Sequence, residues 1–162
     1  MFKTISAPVA AAMVFAAGLA FAHAYQVGAL KIGHPWTRPT PPGAATAAGY
    51  LTITNTGRAP DKLVGVSSPL AGRIEIHRST TAGGVMRMRP LPDGLPILPG
   101  QTVTLQPLGD HLMMIGLRRA LGLGDHMPAT LRFEHAGDVS VYFLVQSAAS
   151  PSGAPMKGMP GM

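Results

Sequence analysis

Short runs of alternating apolar and polar residues recur along most of the chain. A period of two is typical of strands that bury one face, and no convincing 3.6-residue helical period follows residue 24. Clusters rich in Gly, Pro, Asn and Asp separate the runs, as expected of turns. Besides a strand around Leu30 and Ile32, the pattern predicts Ala48–Thr54, Lys62–Val66, Arg73–His77, Val85–Met88, Thr102–Gln106, His111–Leu117, Thr130–Glu134 and Val139–Val145. So many short strands predict an all-β protein, an antiparallel β-sandwich.

The N-terminal segment has a different pattern and predicts a signal peptide at residues 1–24. Lys3 precedes an apolar run of 16 residues from Ala7 to Ala22. This run is short of the roughly 20 residues that cross a bilayer, so we expect export without stable membrane insertion. Small residues at the end of the run allow cleavage after Ala22 or after Ala24. The sequence therefore predicts a periplasmic protein.

The C-terminal residues 147–162 form a tail rich in Ser, Pro and Gly. Such a composition buries little apolar surface, so we expect the tail to be disordered. Its methionines recur at every third position, namely Met156, Met159 and Met162. Their thioethers are either ligands for a metal ion or a chance feature of a Met-rich composition. One domain, at residues 25–146, is expected between the signal peptide and the tail.

Composition and charge exclude several classes of function. The net charge of +6 comes from 13 scattered Lys and Arg residues without a basic helix or an aromatic stacking platform, so nucleic acid is not an expected partner. The chain has no cysteine, which excludes a blue-copper electron-transfer site because that site needs a thiolate. The acids form no close pair, and no phosphate-binding loop or nucleophile elbow is present, so we do not expect an enzyme.

Candidate metal ligands are concentrated between residues 72 and 117. This stretch holds His77, Met86, Met88, His111 and Met113. Imidazoles and thioethers without thiolates or carboxylates form a ligand set that suits a soft ion of low charge, which indicates Cu(I). Copper would also be the ion for the tail methionines, as Cu(I) or Cu(II), if they are ligands.

Strand alternation places these side chains on common faces. In the run HLMMIGL, His111 and Met113 lie two residues apart and share a face, whereas Met114 points to the other face and is expected in the core. The same rule puts Met86 and Met88 together. His77 is expected at the end of its strand, where a Gly-rich turn begins. A ligand cluster drawn from the ends of three strands is therefore sterically reasonable.

Residue spacing and several longer runs resemble the periplasmic copper chaperones that serve the CuA site of cytochrome oxidase, the PCuAC-like family. Ten residues separate His77 from Met88, and 22 residues separate Met88 from His111 in the pair His111-x-Met113. Runs such as GHPWTRPTPPGAATAAGYLTITNTG and LPGQTVTLQPLGDHLMMIGL carry the rest of the likeness, which covers about residues 25–146. The family often has a methionine after its first histidine, where this chain has Arg78. The gap before His111 is one residue longer than is usual, which leaves Met86 and Met88 as alternatives.

The resemblance implies a cupredoxin-like β-sandwich and a metallochaperone that holds Cu(I) with His77, Met88, His111 and Met113. It also implies an acceptor, either the copper subunit of a respiratory cytochrome oxidase or a thiol-bearing assembly factor. The alternative function is periplasmic copper buffering for tolerance, without a dedicated acceptor.

The other histidines are weaker candidates. His34 is expected to be structural, His126-Met127 lies in a predicted loop without a partner in sequence, and His135 precedes a turn. Cleavage after Ala22 would make His23 the mature N-terminus, where its amine and imidazole form a Cu(II) chelate of the kind that a copper oxygenase would need.

Overall fold

The computed structural model describes residues 24–148. The predictions for the signal peptide, His23 and the Met-rich tail fall outside the described residues, and the domain boundaries also stay predictions. The described chain forms 11 strands: β1 Tyr25–Val27, β2 Leu30–Thr37, β3 Thr46–Asn55, β4 Asp61–Ser67, β5 Ala71–Ala82, β6 Val85–Pro90, β7 Leu95–Ile97, β8 Thr102–Leu105, β9 His111–Leu117, β10 His126–Phe133 and β11 Gly137–Val145. In this part of the chain no helix is long and apolar enough to cross a membrane.

The strands form one sheet that closes on itself. Nine strands follow the order β1-β2-β11-β10-β4-β5-β9-β3-β8, and an additional pairing of β2 with β3 completes the ring. The other two lie off this path, where β6 pairs with β5 and β7 pairs with β4. All pairings between the described strands are antiparallel except that of β11 with β2, where Leu144 lies opposite Trp36. The predicted all-β, cupredoxin-like sandwich is therefore confirmed, and one parallel pairing closes it.

Apolar residues that alternate along the strands fill the interior. Ile74 and Ile76 of β5 face Leu112 and Met114 of β9, and Met114 is fully buried as predicted. Gly49 of β3 lies against this cluster, because a Cβ atom there would come within 2.7 Å of the Met114 methyl group. Alternation then sends the intervening residues of β5 and β9 to the outer face, where the candidate ligands lie.

Two sequence predictions about strand ends were wrong. His77 does not end its strand, because β5 continues to Ala82 and pairs with β6 around a turn at Gly83-Gly84. Both glycines have positive φ, as a tight two-residue hairpin turn requires. The His126-Met127 pair does not lie in a loop, since β10 begins at His126 and Met127 is fully buried.

The buried carboxylate of Asp61 joins the start of β4 to the turn between β10 and β11. Its two oxygens accept three backbone N–H bonds, from Lys62 at 2.7 Å, His135 at 3.0 Å and Ala136 at 2.9 Å. Burial alone would raise the pKa of Asp61, but these backbone donors outweigh it and hold the pKa below its ordinary value. Asp61 therefore stays ionised in the folded protein.

We expect Asp61→Asn to lower the free energy of unfolding by about 2–3 kcal/mol, because an amide cannot accept all three bonds and points a donor at other donors. Because the pKa of Asp61 is lowered by folding, its carboxylate stabilises the fold fully at pH values above the ordinary carboxyl pKa of about 4. This stabilisation is lost as the pH falls through the pKa of Asp61 in the folded protein. Urea unfolding at pH 7 and at stepwise lower pH measures both effects. A difference between the two proteins that stays constant down to the lowest pH would contradict this role.

Candidate metal site

Two histidines face each other on the outer surface of the sheet. His77 of β5 lies directly opposite His111 of β9, and their ring centroids are 5.7 Å apart in an edge-on arrangement. His111 is 6% exposed, and the side chain of His77 is 14% exposed. The pair is therefore held by strand register in a largely water-excluded position.

Hydrogen bonds determine which ring nitrogen of each histidine carries the proton. The Nδ1–H of His111 donates to the carbonyl oxygen of Gly109 at 3.0 Å, so Nε2 keeps its lone pair. His77 Nε2 lies 2.9 Å from Glu75 Oε2, a carboxylate oxygen that can only accept, so its Nδ1 keeps the lone pair. This Nδ1 is the one buried side-chain nitrogen or oxygen of the described residues without a hydrogen-bond partner. A buried lone pair without a donor is a feature expected of a metal ligand.

Glu75 is a functional candidate that the sequence analysis missed. It lies two residues before His77 and therefore on the same strand face, which is a signal that the sequence contained. Its hydrogen bonds to His77 and to Arg73, the latter at 2.8 Å, lower its pKa. A carboxylate that orients a ligating imidazole is common around metal sites.

The methionines lie on both sides of the histidine pair. Met113 of β9 faces Glu75, and Met88 of β6 faces Ser79, so each thioether lies on the outer face, one same-face position along from His77. Diagonal neighbours of this kind are about 7–8 Å apart at the backbone, within reach of long side chains. Met86 faces Thr81, which is two residues farther along β5 from His77 than Ser79 is, so Met86 lies farther from His77 than Met88 does. The register thus favours Met88 over Met86 as a neighbour of the histidines.

The two methionine positions differ in exposure. Met113 is half-buried on the sheet, whereas Met88 is 55% exposed on a strand whose residues are all exposed. A methionine side chain has three rotatable bonds, so Met88 can swing toward or away from the histidines.

An ion pair joins β5 to the residue before β9, next to the two histidines but on the other face of the sheet. Arg78 follows His77, and Asp110 precedes His111. The guanidinium donates to both carboxylate oxygens, at 3.1 and 3.0 Å. These bonds raise the pKa of Arg78. Arg78 thus connects the strand of His77 to the residue that precedes His111.

The remaining sequence candidates lie elsewhere. His34 has a positive φ at an irregularity in β2, and its Nε2 is 3.1 Å from the side-chain nitrogen of Gln146. His126 and His135 lie on or beside β10, away from the β5–β9 pair. Among residues 24–148, no three His, Cys, Asp or Glu side chains are grouped to hold a metal ion. The side chains beside the histidine pair on the same face include the thioethers of Met88 and Met113, which are ligands of a kind that soft ions prefer.

We expect Glu75→Leu to disturb the tautomer of His77 and Glu75→Gln to preserve it, because a glutamine oxygen still accepts the Nε2–H bond. In metal-free protein, ¹⁵N NMR of the imidazoles should show Nε2–H for wild type and Glu75→Gln, and a mixture for Glu75→Leu. Cu(I) affinity should fall about tenfold or more in Glu75→Leu only, the range typical of losing an outer partner of a ligating histidine. Identical spectra for all three proteins would remove Glu75 from the site.

Comparison with known proteins identifies the family of the chain. Residues 30–145 match the model of the LpqE-like family, whose description is "Putative lipoprotein LpqE-like". A protein of Leifsonia xyli subsp. xyli named "Putative lipoprotein Lxx21020" is 28% identical over 136 residues, which cover 84% of this chain and 74% of that protein.

Solved structures resemble the fold as well. The copper-bound PCuAC domain from PmoF2 is 30% identical with a TM-score of 0.67, covering 77% of this chain and 98% of that domain. The CuI form of DR1885 from Deinococcus radiodurans is 34% identical with a TM-score of 0.60, covering 83% of this chain and 87% of DR1885. The chain therefore belongs to the LpqE-like family, and its domain is of the PCuAC-like type that its sequence resembles.

Proposed function

We propose that this protein is an extracytoplasmic copper chaperone that binds one Cu(I) with His77, Met88, His111 and Met113. The observation that carries the proposal is the facing histidine pair, in which His77 Nδ1 is buried without a partner and His111 Nε2 keeps its lone pair. Thioethers on the same face supply the soft ligands that Cu(I) prefers. The solved PCuAC domain from PmoF2 is copper-bound, and one solved form of DR1885 is the CuI form. Both similarities support the same metal here.

Neutral ligands suit delivery of the ion rather than permanent storage. Imidazoles and thioethers leave the positive charge of Cu(I) uncompensated, so they bind it less tightly than thiolates would. A thiol-bearing acceptor is therefore favoured thermodynamically. Met88, which is exposed, is the ligand we expect to leave first, while the two histidines stay fixed by the sheet.

We further propose that delivery occurs in the periplasm, with a signal peptide at residues 1–24 directing export. The lipoprotein names of the family and of the Leifsonia relative support a location in the cell envelope. The acceptor is the copper subunit of a respiratory cytochrome oxidase, reached directly or through a thiol-bearing assembly factor.

Titration of Cu(I) against a chromogenic chelator tests the binding step. We expect one tight Cu(I) per chain, retained when the chain is shortened to end at Gln146. If the shortened chain loses the ion, the methionines of residues 147–162 hold it and the strand site does not.

A deletion strain tests the delivery step. Loss of oxidase activity that added copper restores is the result expected of a chaperone. Normal oxidase activity with increased copper sensitivity would instead assign the protein to copper buffering.

A further inference from the structure

The edge of β6, which carries Met88, is a surface open to another protein. In the described chain β6 is hydrogen-bonded to β5 alone, so its other edge presents unpaired backbone groups. All of its residues are exposed, including the apolar side chains of Val85, Met86 and Met88 at 55, 43 and 55%. An exposed edge strand with apolar side chains is a template for strand addition by a partner.

The two faces of β6 differ in chemistry. Met86 and Met88 share the face of the histidine pair, whereas Arg87 and Arg89 point to the other side. Arg78, which lies opposite Arg89, is neutralised by Asp110. Neither Arg87 nor Arg89 is paired with an acid, and among the described residues the same holds for Arg38, Arg58 and Arg118. Arg87 and Arg89 differ from these three in lying two residues apart on one exposed strand that also carries Met88.

We propose that the β6 edge is the docking surface for the protein that receives the copper, and that it recognises an acidic strand or rim of that protein. The inference rests on the proposed function, because it takes Met88 to be the ligand nearest the partner. Carboxylates would pair with Arg87 and Arg89, and the partner's backbone would extend the sheet, which brings its thiols beside Met88.

The number of cations argues for a protein rather than a membrane or nucleic acid. Attachment to anionic lipid generally needs clusters of four to eight basic residues, and stable binding to nucleic acid needs many phosphate contacts. Two arginines on one strand edge fit a short acidic segment instead. Charged side chains also protect edges against aggregation, so the test must separate recognition from protection.

The test compares four full-length proteins: wild type, Arg87→Gln/Arg89→Gln, Arg87→Lys/Arg89→Lys, and a control of equal charge change, Arg58→Gln/Arg118→Gln. The control arginines are exposed and lie outside β5, β6 and the histidine pair. Among the described residues they take part in none of the arginine ion pairs. Chelator competition first measures Cu(I) affinity, which should be the same in all four. Failure of wild type to bind Cu(I) at this step would reject the proposed function, and the copper-free experiment below would still test docking.

The probes are two synthetic peptides with the same cysteine pair, one flanked by Glu and the other by Gln. At low ionic strength we expect wild type to transfer Cu(I) about tenfold faster to the Glu peptide, with the advantage lost in high salt. The Arg87→Gln/Arg89→Gln protein should lose this advantage, whereas the lysine variant and the control should keep it. Equal rates for all four proteins, or equal loss in the control, would overturn the proposal.

The copper-free experiment uses the Glu peptide with serine in place of cysteine. Backbone amide shifts of residues 85–90 should change in wild type and not in Arg87→Gln/Arg89→Gln, with both proteins monomeric. Three results would overturn the proposal: no shifts at β6, aggregation as the only effect of the double variant, or Arg87- and Arg89-dependent binding to phosphatidylserine vesicles without any binding of the peptide.

Discussion

Replacing His111 with alanine is expected to abolish tight Cu(I) binding. His111 is 6% exposed, its Nδ1–H is fixed by Gly109, and it faces His77 across the strand pair. No other imidazole of the described residues faces His77 across the β5–β9 pair. We expect affinity to fall more than about 100-fold, because even loss of an outer partner of a ligand typically costs 10–100-fold. Chelator competition under anaerobic conditions measures the change.

His126→Ala is the matched control for His111→Ala. His126 also begins a strand, but it is exposed and lies on β10. Its substitution should leave Cu(I) affinity unchanged. Circular dichroism should show the same sheet content in both variants. An affinity that survives in His111→Ala, or falls equally in the control, would place the metal elsewhere.

Replacing Met88 with leucine is expected to produce the second-largest loss, about tenfold or more in Cu(I) affinity. Leucine keeps the apolar character and approximate volume of the side chain but lacks the thioether that the soft ion prefers. Because Met88 is exposed at the surface, the substitution should not change the free energy of unfolding by more than about 0.5 kcal/mol. The loss would therefore report ligation and not folding.

Met86→Leu provides the matched control and resolves the alternative that sequence spacing left open. Met86 lies on the same strand face with similar exposure but faces Thr81, one same-face position farther from His77. We expect the Cu(I) affinity of the Met86→Leu protein to remain within about twofold of wild type. Loss of a soft ligand would cause a larger change. The reverse ranking of the two variants would assign the ligand to Met86.

Much of the fold was predictable because burial has a period of two in a strand. The strand of His111 and Met113 was predicted with its observed bounds, and the opposite orientation of Met114 followed from the same alternation. The second half of β5 was missed because Ser79–Ala82 pairs with β6 in an arm that buries nothing, so its sequence has no apolar alternation. The short β1 and β7 were missed for a similar reason, since three residues carry too little pattern.

The candidate ligands, and the pairs of them that share a strand face, also came from the sequence, but the register between their strands did not. Alternation determines which face a residue occupies, whereas the pairing of His77 with His111 depends on register between strands distant in sequence. The preference for Met88 over Met86 comes from that register. The tautomers of His77 and His111 depend on hydrogen bonds to Glu75 and to the Gly109 carbonyl, so they could not be predicted from strand alternation.

X-ray absorption spectroscopy of the Cu(I)-loaded protein, with wild type beside Met88→Leu, tests the central claim most directly. The account predicts one Cu(I) per chain with imidazole nitrogen and thioether sulfur neighbours. In Met88→Leu the sulfur scattering should fall to that of Met113 alone, while the imidazole signal remains. A copper ion surrounded only by nitrogen and oxygen, or a sulfur shell unchanged in Met88→Leu, would contradict it.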